Sequence, residues 1–426
     1  MTLRARLSFL VFPMVALASF ATLIDTRSFI PNHLLHKAHP GYHEQWFNDK
    51  KDANGEIPPF LRSQWAKYDA MKLNLNRRSS DNPIDTIIEL GPKSVGGRTR
   101  GLWIDPRNEK IMLAAAISGG LWRTVDGGLN WKPLNEHQVS MMPSCITSNP
   151  FNHDEIYYGT GESRANSADV DGEGVFKSTD GGLTFNQITS SAKTPGFQEI
   201  WDIEHAKDDS QTLFVGTQTN GLYRSTDGGT TFTNVYAGGN KQVTDILCLP
   251  NNRVIATLHM SQVVASDSLG KPGTFKIISF PNAPGSGTYR RIQLASPANF
   301  PHVVYAVFEG FAFDATPVAL YKSSDGGRTW TKKTAPGGAG ASYQAYCLLF
   351  GAHPNDSNAI VCGGVKLVRS LDGGTTWTNL TVGHSDHHSF AYLPKTTSEF
   401  VVGSDGGMYK YRWNSTEILS NLNNGY

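Results

Sequence analysis

Ser178-Thr179-Asp180-Gly181-Gly182-Leu183-Thr184-Phe185 is a phrase that this chain repeats. The same order of hydroxyl, Asp, Gly-Gly and aromatic residue returns as TVDGGLNW (124–131), STDGGTTF (225–232), SSDGGRTW (323–330) and SLDGGTTW (370–377). A worn copy, Ser266-Asp267-Ser268-Leu269-Gly270 with Phe275 behind it, fills the widest gap. Successive Asp residues lie 54, 47, 40, 58 and 47 positions apart. A period of that size is one small antiparallel sheet, the blade of a β-propeller. The glycine pair supplies positive φ for a tight hairpin, and the Asp carboxylate bonds to the amides of its own turn.

Each good turn follows a short alternating strand, GLWRT (120–124), GVFKS (174–178), GLYRS (221–225), ALYKS (319–323) and KLVRS (366–370), and two further strands of this type, VVAS (263–266) and GMYKY (407–411), lack a good turn phrase. A pair of apolar stretches joined by a polar turn precedes each one, as in RGLWIDPRNEKIMLAAA (100–116) and SFAYLPKTTSEFVVGS (389–404). With the strand opened by the box aromatic, each unit has four strands, and there are seven units. The expected fold is therefore an all-β, seven-bladed β-propeller over 85–426. Ring closure is expected to use IIELGP (87–92) or the last strand near Glu417–Asn421, because an open ring exposes two edges.

Arg4 and Arg6 precede an apolar run from Leu7 to Ile24 that contains Pro13 and ends in small residues. This reads as a signal peptide over 1–21, with a retained anchor as the alternative. Residues 22–84 form a polar extension and linker with an expected helix near 59–72. The protein is thus expected to be secreted, periplasmic or on the cell surface, with no membrane span after cleavage, and monomeric. A net charge of +1 gives no reason to invoke nucleic acid. Four Cys are few for a disulfide scaffold. Cys347 and Cys362 flank a hairpin and are expected to face one another within disulfide reach, whereas Cys145 and Cys248 are expected to be free and buried.

The five good boxes resemble the Asp-box, or BNR, repeats of sialidases, sortilin-type receptors and the xyloglucan-cleaving endoglucanases. The layout also resembles exported BNR-repeat proteins of the Bacteroidetes type, whose GP-x-x-x-GGR-x-R opening is matched by Gly91-Pro92 and Gly96-Gly97-Arg98-Thr99-Arg100. The resemblance implies that Asp126, Asp180, Asp227, Asp325 and Asp372 close outer turns and are structural. It does not by itself license a catalytic activity. A sialidase needs an early Arg-Ile-Pro, which this chain lacks. The xyloglucan enzymes carry an acid just before the Gly-Gly of the first unit, where this chain has Ile117 in Ala116-Ile117-Ser118-Gly119-Gly120.

The starts of the innermost strands should face the channel or its mouth. Arg98, Arg100, Arg290, Arg291, Glu199, Trp201, Tyr343, Gln344 and His384-Ser385-Asp386-His387-His388 fall there. Of these, Arg98, Arg100, Arg290, His384, Asp386 and His388 are expected to form the site, with Arg100 close to His384 once the ring closes, and to suit an anionic ligand. In an extended strand His384, Asp386 and His388 share one face and form a weak metal candidate; a polar channel lining is the preferred reading. Glu162 and Arg164 sit in a long acidic loop, Gly161–Glu173, which is expected to be solvated. No cofactor is expected. The function expected is extracellular binding of carbohydrate first and peptide second. Glycoside hydrolase or lyase chemistry, or a sortilin-like receptor or assembly role, stands as the alternative.

Overall fold

The computed structural model describes residues 96–134, 142–162, 170–238, 241–285, 287–310, 317–337 and 346–426. All belong to the second of two units, 66–426. The leader, the helix near 59–72, IIELGP, Arg164, Tyr343 and Gln344 lie outside the described residues. Seven four-stranded antiparallel sheets follow one another, each with its strands in chain order. The first runs through Thr99–Ile104, Met112–Ala116, Gly120–Thr124 and Lys132–Pro133. The innermost strands of the next six are Pro143–Asn149, Ile200–His205, Val243–Leu249, Tyr289–Ala295, Leu349–Ala352 and His387–Tyr392. Each packs beside its neighbour, and the last returns to Thr99–Ile104, so the ring closes.

The boxes do what their residues dictate. Ser178 Oγ donates to Asp180 Oδ1 at 2.7 Å and accepts the Gly182 amide at 2.9 Å. Asp180 then accepts the Leu183 and Thr184 amides and the Thr184 hydroxyl. Gly182 has φ +78°, and a Cβ there would meet Leu113 of the preceding blade at 2.9 Å. The box aromatic packs backwards across the blade boundary. Phe185 joins Trp103 and Leu113 of the first blade, and Trp330 joins Ile255 and Val263 of the fourth. Each core cluster thus belongs to the seam between two blades, and burying these seams is what holds the ring together.

Of the two strands expected to close the ring, IIELGP lies outside the described residues and the last strand does not cross the seam. The last strand, Ile418–Asn421, pairs inside its own sheet with Gly407–Arg412. The residues just beyond it cross to the first blade instead. Trp131 Nε1 donates to the Leu422 carbonyl at 2.7 Å, and the Tyr426 hydroxyl lies 2.7 Å from Thr99 Oγ1. The Tyr426 ring packs against Trp122 and Trp131. On the other side of the seam, Glu109 of the first blade accepts the Lys395 and Thr396 amides of the seventh.

All four cysteines are free and buried. Cys362 stands opposite Phe350 in the ladder, three residues beyond Cys347, so the expected facing pair is off register. Cys347 Sγ instead donates to Asp386 Oδ1 at 3.4 Å.

Candidate functional site

Six of the seven innermost strands break register with their partner near their start. Thr99 pairs with Ala116 and Gly101 with Ala115, leaving Arg100 as the extra residue. The same shift leaves out Ser144, Trp201, Thr244 and His388, and in the fifth blade both Arg290 and Arg291. A bulge bends its strand and re-aims a side chain. Arg100, Ser144, Trp201, Thr244, Arg291 and His388 all line one cavity in the central channel. The bulge is the device that loads the channel with polar groups.

Arg100 reaches across the channel mouth. Its Nη1 donates to the Tyr346 carbonyl at 2.8 Å and to His388 Nδ1 at 2.9 Å, and its Nη2 to Glu162 Oε1 at 3.1 Å. Because a guanidinium only donates, His388 Nδ1 must accept, and the ring proton sits on Nε2. That nitrogen lies 2.5 Å from Asp405 Oδ1. Asp405 also takes Arg98 Nε at 2.8 Å and Nη2 at 3.3 Å. Glu162 Oε1 accepts Arg98 Nη1 at 3.2 Å and the Tyr346 hydroxyl at 3.0 Å besides Arg100. The Tyr346 ring carries Arg100 at 4.2 Å and Arg98 at 4.8 Å from its centroid, both in cation–π range.

Four blades contribute to this cluster, the first by two arginines, the second by Glu162, the sixth by Tyr346, and the seventh by His388 and Asp405, while Trp201 of the third borders it. Burial alone would raise Asp405, but its bonds from His388 and Arg98 hold the carboxyl well below the usual carboxylate range. Burial pushes the Tyr346 phenol up to about 12. Exposure is graded. The side chains of Arg98 and Asp405 are 31% and 21% exposed, while those of Glu162, Arg100 and His388 fall to 5%, 1% and 0%. One accessible ion pair therefore stands on a buried base.

The remaining sequence candidates are placed differently. Residues 384–386 precede the strand, and Asp386 has φ +61°, so the alternation that would align His384, Asp386 and His388 is broken. His384 is exposed with Nδ1 2.9 Å from the Ser385 carbonyl, and Asp386 faces Cys347. Among the described residues no group of three His, Cys, Asp or Glu is arranged to hold a metal ion. Arg100 therefore meets His388 and not His384. Arg290 neighbours His259, whose pKa falls to about 4 through burial and then the two adjacent arginines, while Arg291 takes the channel position. Glu162 is buried, not solvated; Gly161, with φ +102°, lets the chain pass against the Gln198 carbonyl and delivers it inward. Tyr346 and Asp405 were not among the sequence candidates. Asp405-Gly406-Gly407 sits between two strands of the last blade, where it reads as one more turn.

No family model matches the chain, and no curated protein does. Solved structures do. A GH74 enzyme from Niastella koreensis superimposes with a TM-score of 0.58 at 19% identity, covering 76% of this chain and 54% of that one. The extracellular domain of a one-component system from B. thetaiotaomicron gives 0.55 at 14% identity, over 78% and 40%. A YCF48 bound to D1 peptide gives 0.51 at 16% identity, over 75% and 94%. The chain spans about half the length of the GH74 enzymes it matches. At these identities the likeness is one of fold.

Proposed function

We propose that this protein is an exported propeller of the Asp-box type that binds a carbohydrate at the channel mouth. The observation that carries the reading is the accessible Arg98–Asp405 pair, fixed from beneath by Glu162, Arg100 and His388. A guanidinium beside a carboxylate offers donors and acceptors side by side, which suits the adjacent hydroxyls of a sugar. The buried base fixes their geometry before the ligand arrives, which lowers the entropic cost of binding. Likeness in fold to a GH74 enzyme and to an extracellular sensor domain supports an extracellular, carbohydrate-related role.

Binding is favoured over hydrolysis by the state of the carboxylates. A glycosidase acid needs a raised pKa, and Asp405 is held low while Glu162 Oε1 is occupied by three donors. Peptide binding is the second reading, supported by the YCF48 bound to D1 peptide, which this chain covers almost end to end. A glycan array probed with the purified protein tests the first reading. Selective sugar hits are the expected result; hits absent from the glycans and present on a peptide array would move the reading to the second.

A further inference from the structure

Beneath the mouth the channel holds a cavity of about 150 Å³. Arg291 projects into it from the bulge of the fifth blade and is only 2% exposed. Its guanidinium carbon lies 5.6 Å from the Trp201 ring centroid. Its Nε and Nη1 are buried with no hydrogen-bond partner among the described residues. A buried guanidinium with two nitrogens unbonded is costly, and such a group calls for an ion, ligand or water. The nearby acids do not supply the bond. Asp202 accepts the Ile203 and Ile246 amides, and Asp245 accepts the Leu294 amide. Burial and the neighbouring Asp202 push Asp245 toward its protonated form. Asp245 and Glu309 act on Arg291 through space alone.

The cavity adjoins a wider funnel toward the far ends of the innermost strands, since Asp202, Asp245, Gln293 and Phe390 line both. The funnel has a volume of about 570 Å³; Ile104, Leu247, Leu294, Phe350 and Tyr392 give it apolar surface, and Asp202, Glu204, Lys207 and Asp245 also line it. We infer that this end of the channel binds a monocarboxylate with an apolar body, its carboxylate bonded by Arg291 and its body in the funnel. A space of about 150 Å³ takes a benzene-sized molecule, so the head and first carbons of such an acid fit the narrow part. Charge-assisted bonds to a planar guanidinium supply the discrimination between acid and amide. The carboxylate can belong to a free acid or to the C-terminus of a peptide with a hydrophobic last residue.

Calorimetric titration of the unmodified protein with 3-phenylpropionate and with 3-phenylpropionamide tests this directly. The acid should bind at least tenfold more tightly than the amide, and Arg291→Gln should remove that preference. Acetyl-Gly-Phe titrated in parallel with its C-terminal amide separates the sources: a stronger acid preference there assigns the site to a chain terminus, and a weaker one to a free acid. Equal binding of acid and amide, or no binding of either acid, overturns the inference. The acid–amide comparison stands without the variant if Arg291→Gln does not fold. The site shares Arg100 and His388 with the base of the sugar-binding mouth, but Arg291 belongs to this end alone and each site is read with its own probe, so either reading can fail alone.

Discussion

Two kinds of residue carry this account, and sequence reasoning treats them very differently. Box residues act locally: Asp180 is bonded to groups within four positions of itself, so the octapeptide already contains the whole turn. Asp180→Ala should therefore lower stability by about 1–2 kcal/mol through lost turn hydrogen bonds, measured by denaturant unfolding, and leave ligand binding intact below the melting temperature. Loss of binding by a normally folded variant would give the boxes a functional role. Site residues act at a distance. Arg98, Arg100 and His388 were legible because they precede or open innermost strands, but Glu162, Tyr346 and Asp405 lie 62 to 307 positions from the arginines they bond, and Asp405 lies 17 from His388. Only the closed ring brings them together. Buried histidines set a pH limit. Burial lowers His387 and His259 from 6.5 to about 4, so the unfolded chain binds more protons in that window. Stability should fall as pH drops from about 6.5 toward 4, before the box carboxylates Asp180 and Asp372, held at about 2 against 3.8, begin to contribute. Denaturation midpoints measured across pH check this; a flat profile between 6.5 and 4 would contradict it.

Among the elements, strands were legible from their apolar patterns and turns, while register was not. Alternation places His384, Asp386 and His388 on one face, and the sequence reading takes Arg290, not Arg291, into the site, whereas Arg291 lines the channel. The bulges overrule both readings, because an extra residue inverts the facing of whatever precedes it. A polar or bulky residue at the start of an otherwise apolar innermost strand, as in Arg100, Trp201 and Arg291, was the available signal. The same limit applies to Cys347 and Cys362, which symmetry of the hairpin pairs and the actual register separates. Among the described residues the tail 422–426 crosses the closing seam, which the last strand does not. Tyr426→Ala should cost about 2 kcal/mol, near the low end for large-to-small changes since the residue is partly exposed, and should speed unfolding. Unfolding kinetics unchanged by the substitution would move the latch to the Glu109 contacts.

For the whole molecule, seven similar blades form a ring whose similarity ends at the axis. Most seams repeat one chemistry, box aromatic against the preceding blade, while the sixth-to-seventh seam is filled by Phe400, Tyr411 and Trp413. The channel does not: it carries arginines from the first and fifth blades, acids from the third and fourth, and a tyrosine and histidine from the sixth and seventh. Repetition explains the fold, and the departures from it locate function. The central claim is that the accessible Arg98–Asp405 pair binds the ligand. It is tested most directly by titrating the leading glycan from the array into the unmodified protein, Arg98→Ala and Asp405→Asn. Each substitution removes charge-assisted hydrogen bonds and should weaken binding by about tenfold or more, with the unfolding transition still cooperative. Affinity unchanged in both folded variants would contradict the claim and place the sugar site away from the channel mouth.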